Sequence, residues 1–215
     1  MVVFKYALIK FLALIFERVS AIFMPTILSG VMIMSKWAVV YSSVTGNTKL
    51  VAEAIARASG GDIFNIDDTL PNLDDYEIVA LGYWLKRGAP DPLMKNFLPT
   101  VRNARVVLFE THGTETGTEH AVTAFARAAY LLGSGCDILG TFDCQGKVNP
   151  SLIEKRKAAG ADDPHNSVDS VERWERASTH PDEDDLRRAA EFVDKIEQKL
   201  ILRQKYPTSA PMFNR

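Results

Sequence analysis

Cysteine is scarce. Cys136 and Cys144 are the only two among 215 residues, too few for a disulfide framework or for a zinc or iron–sulfur site built on cysteine alone. A reducing compartment, the cytoplasm, is therefore expected. His165 and His180 have acidic neighbours but no tight ligand spacing, so no metal site is expected. The chain also lacks a Gly-x-x-x-x-Gly-Lys-Ser/Thr loop, a Gly-x-Gly-x-x-Gly fingerprint, a Gly-x-Ser-x-Gly elbow and a Cys-x-x-Cys pair. Nucleoside-triphosphate loops, ordinary dinucleotide folds, esterase triads and dithiol redox centres are excluded with them. Positive charge is short as well. The formal net charge is −2, and because Lys5, Lys10 and Arg18 outweigh Glu17 in residues 1–33, residues 34–215 carry −4. That balance argues against nucleic acid as a partner.

A clean membrane span is missing too. Residues 1–33 are nearly all apolar, but Glu17 and Arg18 split them and Pro25 interrupts the second half, leaving no uninterrupted run of about 20 residues. Met34-Ser35-Lys36-Trp37 reads as an ordinary start just before a strand. Upstream sequence outside the domain is the expectation for residues 1–33; a membrane-surface segment and an export signal are the alternatives. A membrane enters only if that leader is retained.

What remains alternates strands with helices. Trp37 to Ser43 reads as a buried strand, Asn47 to Ser59 as an amphipathic helix stopped by Gly60-Gly61, and Asp62 to Asp67 as a second strand. Glu77 to Tyr83 is apolar on both faces, as a central strand is. Asp91-Pro92 supplies a cap and a first-turn proline for a helix through Leu98. Arg105 to Glu110 and Asp137 to Asp143 read as the fourth and fifth strands. Between them Thr116 to Glu119 has capping-box spacing for a helix to about Leu132. A short helix is expected after Asn149-Pro150 and a long one from about Pro181 to Arg203. The pattern is that of an α/β, doubly wound parallel sheet, with ligands beyond the carboxyl ends of the strands. The domain is expected over 34–204, with an insertion at about 145–181 and a tail at 205–215.

One loop in this pattern is built for an anion. Ser43-Val44-Thr45-Gly46-Asn47-Thr48 lies between the first strand and the first helix, where unpaired N–H groups and the helix dipole favour negative charge. Its hydroxyls add donors and Gly46 allows close backbone approach. With no essential lysine, the loop suits one terminal monophosphate. A hydroxyl-rich helix cap would use the same residue types.

The "SVTGNT" stretch, Ser43 to Thr48, resembles the Ser/Thr-x-Thr-Gly-x-Thr phosphate loop of the flavodoxin family. The likeness extends in element order from about Lys36 to Leu202, with a set of small bacterial flavodoxin-like proteins sharing a Cys-Gln-Gly-Lys stretch, here Cys144 to Lys147. The resemblance implies a five-stranded flavodoxin-like sheet in the order 2-1-3-4-5 and FMN as cofactor. It also implies an aromatic residue against the flavin after the third strand, Trp84 first and Tyr83 second, and a backbone reorientation at Gly88. A second flavin loop would be formed by Thr111, His112, Gly113 and Thr114.

Two features depart from that family pattern. Lys86 and Arg87 stand where electron-carrier flavodoxins place acids; directed at the ring they would raise its potential, and otherwise they are solvated loop charges. The segment between Cys144 and Pro181 is long for a connection and carries Trp174, which suits a lid, a docking surface or a solvated insertion. Cys144 reads more readily as an inert buried thiol than as a redox group. The functional expectation is an FMN-dependent electron-transfer protein passing electrons from a reductase to a redox partner. The alternatives are an NAD(P)H-dependent reductase of a quinone, flavin or tetrapyrrole-type substrate, and a flavin-free phosphate-binding module.

Overall fold

The computed structural model describes residues 35–160 and 166–206. The leader at 1–33, His165 and the tail from residue 207 onward lie outside the described residues. Five strands, β1 (Trp37–Tyr41), β2 (Asp62–Asn65), β3 (Ile78–Trp84), β4 (Arg105–His112) and β5 (Asp137–Gln145), form one sheet in the order β2-β1-β3-β4-β5. All four pairings are parallel. Among the described residues six α-helices accompany them: α1 (Asn47–Ser59), α2 (Pro92–Phe97), α3 (Glu119–Leu131), α4 (Pro150–Ala158), α5 (Val168–Ala177) and α6 (Glu183–Lys205). Among the described residues, no helix is long and apolar enough to cross a membrane.

Strand alternation divides the core between the two faces of the sheet. Trp37, Val39 and Tyr41 join Val107 and Phe109 beneath Val51 and Ile55 of α1 and Val193 and Ile196 of α6. Val40, Val79, Leu81 and Tyr83 face the other way, with Met94 and Leu98 from the α2 region and Ala128 of α3. Burial on both sides explains the continuous apolar runs in β1 and β3. Glu197 of α6 clamps the start of the sheet, accepting hydrogen bonds from Trp37 Nε1 at 2.6 Å and Ser35 Oγ at 3.0 Å.

Helix caps follow the sequence signals at three places. Asp91 Oδ1 accepts from the N–H groups of Leu93 and Met94 and from Ser42 Oγ, so one buried carboxylate caps α2 and fixes the end of β1. Asn149 caps α4 through Ser151 N. Asp182 and Asp185 form a reciprocal capping box on α6. Asp185 also binds His180 and Arg188, which explains the convergence of His180, Asp182 and Asp185 as a helix-start network.

The expected Thr116–Glu119 capping box is not formed. Thr118 precedes α3 without a side-chain cap, and Gly117, at φ 69°, gives its N–H to Asp143 Oδ2 at 2.7 Å. The turn is tied to β5 instead of closing on its own helix. The region at 145–181 contains not one helix but two, α4 and α5. The signal for α5 was present: Ser167 caps it through Ser170 N, and Trp174 and Ala177 are buried three residues apart on one face.

Candidate functional site

The carboxyl ends of β1, β3, β4 and β5 open on a cavity of about 580 Å³. Its first wall is the turn into α1. Gly46 occupies the N-cap at φ 90°, in the left-handed region where glycine has no steric penalty. No side chain caps α1, and its first turn contains no acid. The helix therefore begins with unsealed N–H groups and an unopposed positive dipole end. Ser43 Oγ accepts from Gly46 N at 3.1 Å, bracing the turn from within. Thr48 is buried and hydrogen-bonded to Thr111 Oγ1 at 2.9 Å, linking α1 to the end of β4. Asn47 Nδ2 donates to the carbonyl of Lys147 at 2.8 Å, joining the turn to the loop after β5.

The second wall is a small hairpin. Leu85 and Pro90 bridge across a two-residue turn in which Arg87 (φ 55°) and Gly88 (φ 72°) both take positive φ, closed by hydrogen bonds between Lys86 and Ala89. This is type I′ geometry. Arg87 lines the cavity, whereas Lys86 does not. The Gly88 carbonyl accepts from Arg127 Nη1 at 2.5 Å.

Thr111 and His112 at the end of β4, with Gly113 and Thr114 just after it, form the third wall. Thr114 holds the imidazole through its hydroxyl and carbonyl at His112 Nδ1, and His112 Nε2 lies 3.4 Å from Asp143 Oδ2. Burial alone would raise the Asp143 carboxyl; the neighbouring His112 imidazole and the hydrogen bond from Gly117 N–H outweigh it and hold the group below its ordinary value. Next to this pair on the same sheet face lies a buried acid that the sequence reading passed over. Tyr83, Glu110 and Asp143 are register partners across β3, β4 and β5. Glu110 is fully buried, and neither of its oxygens has a hydrogen-bond partner among the described residues. Burial pushes its carboxyl up to about 8. Burial, then the neighbouring Glu110, raises the Tyr83 phenol well above its ordinary value.

Of the expected site residues, Val44, Thr45, Asn47, Trp84, Thr111, His112, Gly113 and Thr114 meet on this cavity. Ser43, Gly46 and Thr48 shape its α1 wall from behind. Tyr83 stands apart: alternation along β3 sends it into the core beside Phe125, with no exposed surface, and corrects its expected place against a flavin. Cys144 is likewise buried, donates to Gln145 O and has its thiol raised by burial, as suits an inert packing role. Sequence reasoning did not assign Gly146, Lys147, Val148, Asn149, Leu152, Arg156, Arg173 and Trp174 to the wall. Their common signal is the Cys-Gln-Gly-Lys stretch and the two helices that follow it.

The Flavodoxin domain family pattern matches residues 38–194. The chain belongs to the flavodoxin family. This flavodoxin-like chain is 30% identical over 162 residues to the flavodoxin-like domain-containing protein BilS of Clostridioides difficile, covering 72% of this chain and 92% of the relative. A second BilS, from Clostridium symbiosum, is 24% identical over 178 residues, covering 74% and 94% respectively. Among solved structures, oxidised flavodoxin 2 from Bacillus cereus aligns with a TM-score of 0.47 at 17% identity, over 77% of this flavodoxin-like chain and 99% of that one.

Proposed function

We propose that this chain is an FMN-dependent electron-transfer protein, taking electrons from a reductase and passing them to a redox partner. The observation that supports this reading best is the unsealed start of α1, with Gly46 at the N-cap and no competing acid, opening directly onto the cavity. The N–H groups at Asn47, Thr48 and Lys49 and the hydroxyl of Thr45 hold the terminal phosphate. Trp84 and the Thr111–Thr114 loop hold the ring. Trp84 fits that task because its Nε1 is buried without a hydrogen-bond partner among the described residues. When bound, FMN supplies one- and two-electron redox chemistry. Arg87 at the rim favours added negative charge in the site.

A second reading, an NAD(P)H-dependent reductase of a quinone, flavin or tetrapyrrole-type substrate, draws on the covering of the cavity by α4 and α5 and on the His112–Asp143 pair beside it. Such a roof suits a small acceptor, and the imidazole suits proton delivery. An anaerobic titration of the purified full chain with FMN, then dithionite, then NADPH and NADH, separates the readings. A yellow protein bleached by dithionite and by neither nucleotide is expected for the carrier. Bleaching by a nucleotide alone makes it a reductase, and failure to take up FMN overturns both.

A further inference from the structure

The FMN site proposed above uses only part of the cavity wall. Among the described residues, the four side chains on the cavity wall with a fixed charge are all cations, Arg87, Lys147, Arg156 and Arg173, and no Asp or Glu lines it. None of the four forms a salt bridge among the described residues. Acids are nevertheless close at hand. One turn beyond Arg173, Arg176 pairs with Glu115 and Glu172 on the exposed side of α5.

A single phosphate does not account for all four cations. Its end of the cavity is marked by Asn47, bonded to Lys147 O and packed against Gly146. Arg173 stands elsewhere, donating to Ser170 Oγ at 3.3 Å, on the wall shared with a second cavity of about 280 Å³ that also touches Thr114, Glu115, His120 and Asp169. His120 in turn lies against Gly88 of the hairpin. Arg156 is half-buried, and its guanidinium lies 5.6 Å from the centre of the buried Trp174 ring, which holds it in place. Val148, Leu152, Leu85 and Trp174 supply apolar wall beside these cations.

We propose that α4 and α5 form a second ligand site, in which Arg156 and Arg173 bind the anionic groups of an organic oxyanion whose apolar body lies against Val148, Leu152 and Trp174. The proposal rests on the reading that FMN fills the α1 end. Guanidinium forks match carboxylate and phosphate alike, so the oxyanion comes from an aromatic carboxylate acceptor or from a phosphorylated nucleotide donor. Both are ligands that a roofed redox site would use.

The test is calorimetric titration of the FMN-loaded full chain with naphthalene-2,6-dicarboxylate, with NADP⁺ and with the uncharged 2,6-naphthalenedimethanol. At least one anion is expected to bind about ten-fold or more tightly than the neutral probe. The Arg156→Gln/Arg173→Gln variant should lose about that factor while its FMN affinity changes by less than about two-fold. An Arg156→Lys/Arg173→Lys variant, which keeps the charge without the fork, should retain part of it and guards against misfolding. Which anion binds identifies the source. Absence of anion binding, equal binding of charged and neutral probes, or loss of FMN in step with the anion overturns the proposal. Repeating the titration without FMN keeps the two readings apart, because anion binding that needs the arginines would then persist in a protein that takes up no flavin.

Discussion

Glu110 is the residue whose behaviour is least expected of a core position. A carboxyl whose folded value is raised retains a proton that the unfolded chain has released, so stability falls as pH rises between the ordinary 4.5 and about 8. Glu110→Gln removes that dependence without changing the shape of the side chain. Denaturant titrations of the flavin-free protein should show the two chains similar near pH 4, the variant increasingly the more stable towards pH 8, and the gap constant above it. Parallel pH profiles would mean that Glu110 is ionised in the fold. The residue was hard to read from sequence because "RVVLFE" places it at an apparent strand end, where an acid is ordinarily solvated. The strand runs two residues further, to His112, and carries Glu110 under cover. Tyr83 is hard to place for a related reason, since adjacent aromatics at a strand end point to opposite faces and only one of the pair, Trp84, lines the cavity.

At the scale of elements, the five strands and their flanking helices were legible because period-2 and period-3.6 patterns and Gly, Pro and Asp punctuation agree with one another. Asn47–Ser59 is helical over the very span its pattern indicates. Contacts made between elements distant in sequence were not legible. Gly82 shows how much such a contact decides. A Cβ at this position would lie 2.0 Å from Phe109 Cζ, so β3 must be bare there for the β4 ring to cross it. Gly82→Ala is expected to cost about 1–3 kcal/mol through overpacking, read as a lowered denaturation midpoint with an unchanged denaturant slope. Phe109→Leu placed on top of it should recover part of the loss, which a purely conformational effect at residue 82 would not allow. The α1 wall of the site was legible in the same local way. The α4–α5 roof was not, because its helices acquire meaning only where they fold back over the cavity.

For the whole molecule, the candidate site is assembled from the beginning and the end of the domain. Asn47 reaches Lys147 O, a hundred residues away, and Lys147 N donates to His180 O, just ahead of α6. Contacts of such high sequence separation form late in folding, since chain closure must come before them. The α1 wall of the cavity is therefore expected to be complete only after β5 has docked. FMN in refolding buffer is expected to leave the folding rate of the chain almost unchanged and to slow unfolding by nearly the full factor by which it stabilises the native state, as stopped-flow traces with and without flavin would show. Acceleration of folding by FMN would place the cradle in the transition state instead. On that expectation, the bond from Asn47 to Lys147 would make the flavin a brake on departure from the native state rather than a template for reaching it, and a newly made chain would fold unaided before it became yellow.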